Sequence, residues 1–356
     1  MRVVVAPVSR RFGAAFVPLR RLFGGLRGAV GGALPVRNRL FCRFGGAMIS
    51  RAQPVSAAMQ IGFVGTGTMG TPIAGCLIAA GYSLAVYDRR VEAVAALRAQ
   101  GAKAADSAFA AARDSDVVFT SLPGPKEFEA AMLEPQTGIL AGLQANSRGG
   151  ATHIDLTTNS PNVIADVASA CRFRGIELID APVSGRPPTM TVMVGASDAG
   201  FARCRPLFEA IAANVFHVGP SGAGATAKLV TQYLGYTGFI AALEGMLIAA
   251  KAGIDLETLA RIVPVSAGQS RTFDNIPRGV LPGSFVAGGT LDIVAKDVEL
   301  ACQLARDVGA PAALGALASD MYKRAQAQGW GQEGFPVVAR VLEAMAGIEL
   351  RSGAKP

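Results

Sequence analysis

Three glycines early in the chain have the spacing that a phosphate-binding turn requires. Gly65, Gly67 and Gly70 form the pattern G-x-G-x-x-G, preceded by a predicted strand, Gln60–Val64, and followed by a helical pattern over 71–80. In such a turn the first glycine permits a sharp bend, the second lets the backbone approach a pyrophosphate, and the third lets helix and strand pack closely. The first N–H groups of the helix then face the phosphates. The stretch therefore predicts a dinucleotide-binding turn.

An acidic residue follows at the position that would contact a ribose. A second strand is predicted over 82–87, and Asp88 comes directly after it. A carboxylate there accepts hydrogen bonds from ribose hydroxyls and repels a 2′-phosphate. We therefore expect NAD as the cofactor and NADP as the weaker alternative. Arg89 and Arg90 favour NADP instead, because either guanidinium could turn toward a 2′-phosphate.

One lysine is the strongest candidate for proton transfer. An enzyme that oxidises an alcohol with a nicotinamide needs a group to exchange the hydroxyl proton. The two histidines, His153 and His217, fall within or at the end of predicted strands, no tyrosine has a lysine four positions on, and the sequence has no cluster of metal ligands. Lys228 lies in the first turns of a long apolar helix, where lost hydration and the helix N-terminus both lower the pKa of an amine. Gln232, one turn later, faces the same side and can orient the lysine or a substrate oxygen.

The helix that carries Lys228 is predicted over 222–253. This stretch has no proline and only one charge, Glu244, between Lys228 and Lys251. About 20 apolar residues would also suffice to span a membrane. A charge in mid-span and several glycines favour instead a helix that is buried among other helices. Because it is apolar nearly all round, we expect it to be buried on several sides.

The predicted elements differ before and after this helix. Before it, strands and helices alternate, and further strands are predicted at 102–104, 116–120, 153–155, 176–180, 191–194 and 215–218. After it, only helices are predicted, at 256–263, 293–308, 312–328 and 337–346. We therefore predict an α/β Rossmann-type dinucleotide-binding domain over 59–221, followed by an all-α domain over 222–350 that is joined to it through the long helix. Ligand-binding loops are expected at the carboxyl ends of the strands, at 122–125, 157–161 and 181–185.

The first 58 residues have a different composition. They hold ten arginines but no lysine, aspartate or glutamate, so they carry more than the whole net charge of +8. An arginine-rich, acid-poor segment is typical of an organellar transit peptide. A start codon assigned upstream of Met48 or Met59 is the interpretation that we favour. In either case we expect residues 1–58 to be a disordered tail outside the fold.

Charge and cysteine content narrow the choice of partners and compartment. Without the tail the chain has a net charge of −2, which gives no support for binding nucleic acid. The five cysteines are scattered and form no C-x-x-C pair. This usage is typical of a reducing compartment and argues against structural zinc. We therefore expect a cytoplasmic protein, or an organellar one if the tail is a transit peptide.

Five segments occur in the order found in the β-hydroxyacid dehydrogenases, the 3-hydroxyisobutyrate dehydrogenase family. They are GFVGTGTMG, DLTTNSP, DAPVSG, GAGATAKLVTQ and LDIVAKDVELA. The resemblance covers about residues 59–350. It implies an NAD(P)-dependent oxidoreductase that acts on a small β-hydroxyacid or its semialdehyde. It also implies a C-terminal domain like that of 6-phosphogluconate dehydrogenase, an active site between the domains, and a homo-oligomer, either dimer or tetramer, that binds no membrane.

The resemblance also implies roles for individual residues. Lys228 would be the catalytic acid–base, and no metal is implied. The cofactor would be held by the glycine turn, including Thr68 and Met69, and by Asp88, Leu122, Pro123, Thr158 and Lys296. The substrate would be held by Ser184, Gly185 and Gln232, where most members have asparagine in place of Gln232.

The chain departs from the family pattern after Gly185. Arg186, Pro187 and Pro188 follow where a second glycine and a longer loop are usual. Arg186 is therefore a further candidate for substrate binding, and the identity of the hydroxyacid stays open. The alternatives are a reductase of the tartronate semialdehyde or succinic semialdehyde type, a non-catalytic NAD-binding protein and, as a weaker reading, an imine-reducing relative.

Overall fold

The computed structural model describes residues 41–44, 47–50, 59–146, 151–286 and 288–353, and every structural statement below concerns these ranges. All of them belong to one unit of the chain, Arg39–Pro356. Two short strands, β1 (Phe41–Phe44) and β2 (Ala47–Ser50), pair antiparallel with Phe41 opposite Ser50. Both strands fall within residues 1–58, which we expected to be a disordered tail outside the fold. The rest of that tail lies outside the described residues.

The main sheet contains nine strands. They are β3 (Gln60–Val64), β4 (Ser83–Tyr87), β5 (Lys103–Ala104), β6 (Val117–Thr120), β7 (Thr152–Asp155), β8 (Glu177–Asp180), β9 (Val183–Ser184), β10 (Thr191–Gly195) and β11 (Asn214–Gly219). The order β5-β4-β3-β6-β7-β8 is parallel throughout. β10 then runs antiparallel to β8, β11 is parallel to β10, and β9 pairs antiparallel with β10. This confirms the predicted Rossmann-type fold.

The strand order places the ligand crevice. β3 comes first in the parallel set but lies at its centre, so the chain turns one way to β4 and β5 and the other way to β6. Open α/β sheets bind ligands at the carboxyl ends of the strands where this reversal occurs. β6 and β7 are buried along their whole length, as expected for strands covered on both faces. The carboxyl ends of β3, β6 and β7 therefore form the floor of the candidate site.

Helices cover both faces of the sheet. They are α1 (Gly70–Ala79), α2 (Ala95–Arg98), α3 (Ala108–Arg113), α4 (Pro125–Leu133), α5 (Ile139–Gln144), α6 (Pro161–Arg172) and α7 (Asp198–Ile211). One apolar cluster, which includes Phe63 and Phe208, and another, which includes Phe128 and Ile164, fill the space between sheet and helices. A 3₁₀ turn, Val91–Val94, precedes the short α2.

A helical domain follows the sheet, as predicted, and the described residues beyond β11 contain no strand. Its helices are α8 (Ala223–Lys251), α9 (Leu256–Ile262), α10 (Leu291–Asp307), α11 (Ala313–Ala327) and α12 (Ala339–Ala346). A single core that includes Phe239, Leu243, Val298 and Tyr322 joins α8, α10 and α11.

Helix α8 connects the two domains. Its first turns contact β10 and β11, and its remainder contacts α10, α11 and α12. Its length and composition would allow it to cross a membrane, but helices in the core of a folded domain meet the same criteria. The expected burial on several sides is only partly correct, because Val230, Leu234 and Ile248 are exposed along one side.

Candidate active site

The glycine turn has the shape that a dinucleotide requires. Gly65 has φ +92°, and a Cβ atom there would collide with the Ser121 carbonyl oxygen. A Cβ atom at Gly70 would collide with the Gly65 carbonyl oxygen, so helix α1 packs tightly on β3. At Gly67 an added Cβ would meet only the Arg90 guanidinium, at 3.8 Å. Two glycines are thus required by packing, and the third leaves open space at a helix N-terminus, which fits a pyrophosphate.

Asp88, which follows β4, accepts hydrogen bonds that hold this turn in place. Its Oδ2 accepts a hydrogen bond from the Thr66 N–H at 2.8 Å, and its Oδ1 accepts one from the Arg90 N–H at 2.9 Å. Each carboxylate oxygen can accept more than one hydrogen bond, so the group retains capacity for a ribose hydroxyl. Thr68 is exposed and Met69 is half-buried in the turn.

Two further loops meet at the carboxyl ends of β6 and β7. The Leu122 N–H donates to Thr157 Oγ1 at 3.1 Å, which joins the loop after β6 to the loop after β7. Pro123 is exposed and Thr158 is half-buried. The loops predicted to contact the nicotinamide are therefore adjacent, and a hydrogen bond holds them together.

A buried aspartate fixes the second of these loops. Asp155 Oδ1 accepts from the Thr157 N–H at 3.1 Å and from Thr120 Oγ1 at 2.7 Å, while its Oδ2 accepts from Asn159 Nδ2 at 3.0 Å. Burial raises the pKa of Asp155 to about 6, although these hydrogen bonds oppose the shift. Its burial and its contacts with this loop were not predicted from the sequence.

Neither histidine is placed for acid–base chemistry. His153 is fully buried in β7, with Nε2 3.1 Å from Thr120 Oγ1, and burial lowers its pKa to about 3. His217 stacks on Phe201 at 4.5 Å and its Nε2 lies 2.9 Å from the Ala196 carbonyl oxygen. Both contacts are those of structural histidines, as the strand positions suggested.

Lys296 reaches across from the helical domain. Its amine donates to the Thr158 carbonyl oxygen at 3.3 Å and pairs with Asp297 Oδ1 at 2.7 Å. Its stem covers the loop after β6, since a Cβ atom at Gly124 would lie 2.9 Å from Lys296 Cδ. Lys296 therefore contacts both the loop after β6 and the loop after β7.

Lys228 is buried in the second turn of α8, with 6% of its surface exposed. Within the described residues its amine makes no hydrogen bond or ion pair. Burial lowers its pKa from the ordinary value of 10.5, the Lys296 ammonium lowers it further, and the Asp297 carboxylate opposes both. An amine in these surroundings can lose its proton at a pH where an exposed lysine cannot.

Gln232 is oriented by Asp297. Its Nε2 donates to Asp297 Oδ2 at 2.6 Å and to the Tyr236 hydroxyl at 3.3 Å. Because a carboxylate only accepts, this contact fixes the side-chain amide with its N–H groups toward Asp297. The carbonyl oxygen is then the group of Gln232 that is free to accept a hydrogen bond from Lys228 or a substrate hydroxyl.

The predicted substrate loop lies beside the start of α8. Ser184 is half-buried on β9, opposite Thr191 of β10, and the first turns of α8 pack on β10. Gly185 has φ +80°, a conformation that favours glycine. Arg186 is exposed, and in the described part of the chain its guanidinium has no partner.

Asp297 belongs to this cluster, although its place there was not predicted from the sequence. It is 1% exposed and contacts Lys296 and Gln232. A signal was present, because position 297 falls three residues after Val294 and four before Ala301, on the apolar side of α10. A charge at such a position seldom occurs without a buried partner.

Family models match most of the chain. Residues 60–219 match the model described as the NAD binding domain of 6-phosphogluconate dehydrogenase. Residues 222–342 match the model described as NAD-binding of NADP-dependent 3-hydroxyisobutyrate dehydrogenase. The boundary between the two models falls between β11 and α8.

Characterised relatives match over nearly their whole length. A 2-(hydroxymethyl)glutarate dehydrogenase from Eubacterium barkeri is 32% identical over 302 residues, 83% of this chain and 99% of that protein. An NAD-dependent L-serine dehydrogenase from Pseudomonas aeruginosa is 34% identical over 300 residues, 81% of this chain and 99% of that protein. The crystal structure of 3-hydroxyisobutyrate dehydrogenase from Salmonella typhimurium superposes with a TM-score of 0.71 at 30% identity, over 80% of this chain and 99% of that one.

Proposed function

We propose that this chain, which belongs to the β-hydroxyacid dehydrogenase family and is an NAD(P)-dependent oxidoreductase of hydroxyacids, uses Lys228 as its acid–base group. The observation that carries the proposal is a buried amine, without a hydrogen-bond partner among the described residues, in the helix turns that pack on β10 beside the predicted substrate loop. Lys296, the other lysine of the cluster, is tied to Asp297 and Thr158. Of the two, Lys228 is the one available to exchange a proton.

The residues of the cluster divide the work of oxidation. The neutral Lys228 amine accepts the proton of the substrate hydroxyl, and in the reverse direction the ammonium returns it. A bound nicotinamide supplies the hydride acceptor. The Asp297 carboxylate stabilises the Lys228 ammonium that forms. The Gln232 carbonyl oxygen accepts a hydrogen bond from that ammonium and so orients it. Burial lowers the pKa of the amine, which is the direction that a general base near neutral pH requires.

The names of the relatives suggest the substrate class. 3-Hydroxyisobutyrate, L-serine and 2-(hydroxymethyl)glutarate all contain a primary alcohol next to a carbon that bears a carboxylate, and they differ in the third group on that carbon. We propose that this chain oxidises a hydroxyacid of the same class, with Ser184 and the Gly185 backbone donating to the shared carboxylate.

Arg186 is proposed to select the third group. Its exposed guanidinium can grip a second anionic group in a two-point fashion. The preferred substrate would then be a dianion, as it is for the glutarate relative. We expect Arg186→Gly to raise KM for dianionic hydroxyacids by about tenfold and to leave KM for monoanionic ones unchanged, since a charge-assisted pair contributes roughly 1.5–3 kcal/mol. An unchanged profile across the panel would show that Arg186 takes no part in selection.

The acid–base assignment is tested with Lys228→Met. We expect kcat to fall by about 10²–10⁴, the range for loss of a positioned acid–base, while the Kd for dinucleotide stays within about twofold. Nicotinamide absorbance with a panel of hydroxyacids gives kcat, and calorimetry gives Kd. Lys251→Met, at the exposed far end of the same helix, is the matched control and should behave as wild type. Near wild-type kcat in Lys228→Met would assign the proton transfer to another group.

A second copy of the chain is proposed to cover the exposed side of α8. The α8 stripe (Val230, Leu234, Ala241 and Ile248) is exposed and apolar, and the exposed Glu244 lies beside its second half. Two such faces related by a two-fold axis are self-complementary. Leu234→Glu should shift the mass measured by light scattering to that of a monomer, and Phe173→Glu, at an exposed site on the other domain, should not. A monomeric wild type would end this proposal.

A cytoplasmic location is proposed from the scattered cysteines. Cys76, Cys171, Cys204 and Cys302 are all free. A fluorescent fusion of the whole chain should be diffuse in the cytoplasm. Accumulation in an organelle would support the transit-peptide interpretation of the first 58 residues instead.

A further inference from the structure

The start of α8 is held by a carboxylate from another part of the chain. The Gly222 N–H donates to Asp180 Oδ1 at 2.6 Å, and the Ala225 N–H donates to Asp180 Oδ2 at 2.7 Å. The N-cap residue, Gly222, has no side chain to satisfy these donors, and its φ is +96°. An aspartate at the end of β8, 42 residues earlier, therefore supplies the cap.

The surrounding backbone is shaped to hold this carboxylate. A Cβ atom at Gly195 would lie 2.5 Å from Asp180 Oδ1, and one at Gly224 would lie 2.9 Å from Asp180 Oδ2. The carboxylate thus lies in a slot between β10 and the first turn of α8 that only glycines leave open. Asp180 is 1% exposed, so water does not compete for these hydrogen bonds.

The slot determines the position of Lys228, the proposed acid–base group. Lys228 follows Ala225 by three residues, so the turn held by Asp180 is continuous with the turn that carries the lysine. From this geometry we infer that Asp180 is a positioning residue that acts through Lys228 by fixing the first turn of α8 to the sheet. The inference rests on the proposed role of Lys228.

A neighbouring aspartate offers a matched comparison. Asp155 lies opposite Asp180 in the register of β7 and β8 and is equally buried. Its hydrogen bonds go to the loop after β7 and to Thr120, whereas those of Asp180 go to α8. If each carboxylate acts through the element that it holds, the two substitutions to asparagine must affect different kinetic constants.

The experiment measures kcat, substrate KM and dinucleotide Kd for Asp180→Asn and Asp155→Asn. An asparagine at 180 keeps one acceptor but presents an N–H group to the second backbone donor. A displacement of about 1 Å in a catalytic group can cost on the order of 10²-fold in rate, so we expect kcat to fall by about 10–100-fold. Dinucleotide Kd should stay within about twofold. Asp155→Asn should instead weaken dinucleotide binding.

A double variant separates positioning from general damage. If Asp180 acts only through Lys228, adding Asp180→Asn to Lys228→Met should cause no further loss of the residual rate. A loss that multiplies in the double variant, or a wild-type kcat in Asp180→Asn, would overturn the inference. If Lys228→Met itself kept full activity, the proposed function would fail first, so the two failures are distinguishable.

Two further measurements apply if Asp180→Asn does not fold. Gly195→Ala leaves Asp180 in place but crowds its Oδ1, and a fall in kcat without a change in dinucleotide Kd is expected. Hydrogen exchange of the wild-type chain should show the Ala225 amide protected like the helix interior, although first-turn amides lack an intrahelical acceptor. Rapid exchange at Ala225, or an unchanged kcat in a folded Gly195→Ala, would contradict the inference.

Discussion

Two helices begin at the carboxyl edge of the same sheet, and their N-termini are used in opposite ways. Neither α1 nor α8 has a capping side chain on its own N-cap residue, Met69 or Gly222. At α8 the Asp180 carboxylate occupies the terminus, while at α1 the space beside Gly67 is open. A helix N-terminus attracts negative charge. The α8 terminus is therefore closed by an anion of the protein, whereas the α1 terminus stays open for an anion of the ligand. We propose that one fixes the turn that carries Lys228 and that the other binds the cofactor.

The largest expected effect comes from placing an anion at the open terminus. Gly67→Asp should weaken dinucleotide binding by at least about 100-fold, because a carboxylate at the helix N-terminus replaces and repels the pyrophosphate. Gly67→Asn has the same shape without the charge and should weaken binding much less. Calorimetric Kd values check this. Equal losses in both variants would mean that space, and not charge, defines the open terminus.

A smaller effect is expected from the carboxylate beside the open terminus. Asp88→Asn should shift the ratio of kcat/KM toward NADP by about tenfold, since it removes a charge that repels a 2′-phosphate. Asparagine still offers one acceptor for the Thr66 or Arg90 N–H. Arg90→Gln should shift the ratio the other way, because the guanidinium lies beside Gly67. A ratio that does not change in Asp88→Asn would refute the expected preference for NAD.

Lys228, which follows the closed terminus of α8, is buried at a cost in stability, and Lys228→Met should reveal this cost. Burial lowers the folded-state pKa of Lys228 below 10.5. Between those two pKa values the unfolded chain binds more protons than the folded one, so stability rises with pH across this window. Lys228→Met removes this cost, and its Tm at pH 7 should exceed that of wild type by a few degrees. The gain should shrink as the pH approaches 10.5, and a gain independent of pH would indicate packing alone.

The smallest effect is expected from removing the first 58 residues. Both helix termini and all proposed site residues lie at 65 and beyond. A chain that begins at Met59 should keep kcat and dinucleotide Kd within about twofold of the full chain, since surface changes away from a site have small effects. Loss of activity would show that the hairpin β1–β2 or its neighbours support the fold.

Much of the cofactor half was predictable because its signals are local. The glycine turn, the strand before it and Asp88 after the next strand follow one another closely, and periodicity gave β3 with its observed bounds. Lys228 was predicted as the acid–base group because the histidines, a Tyr-x-x-x-Lys pair and a metal site were excluded. Its burial was expected from the apolar helix around it. The exposed stripe on α8 was not predicted, since composition does not show which side of a helix is left uncovered.

The sequence by itself determined the elements and the residues that follow one another in a motif. Only the tertiary structure decided that Asp180 caps α8 across 42 residues, that Asp297 orients Gln232 across 65, and that Lys296 joins two loops of the other domain. The physical reason is that covalent neighbours fix local periodicity, whereas a buried carboxylate finds its donors through strand register and the close approach that glycines allow. Asp180 and Asp297 both lie in sequence motifs, but the group that each one holds in place depends on the folded structure.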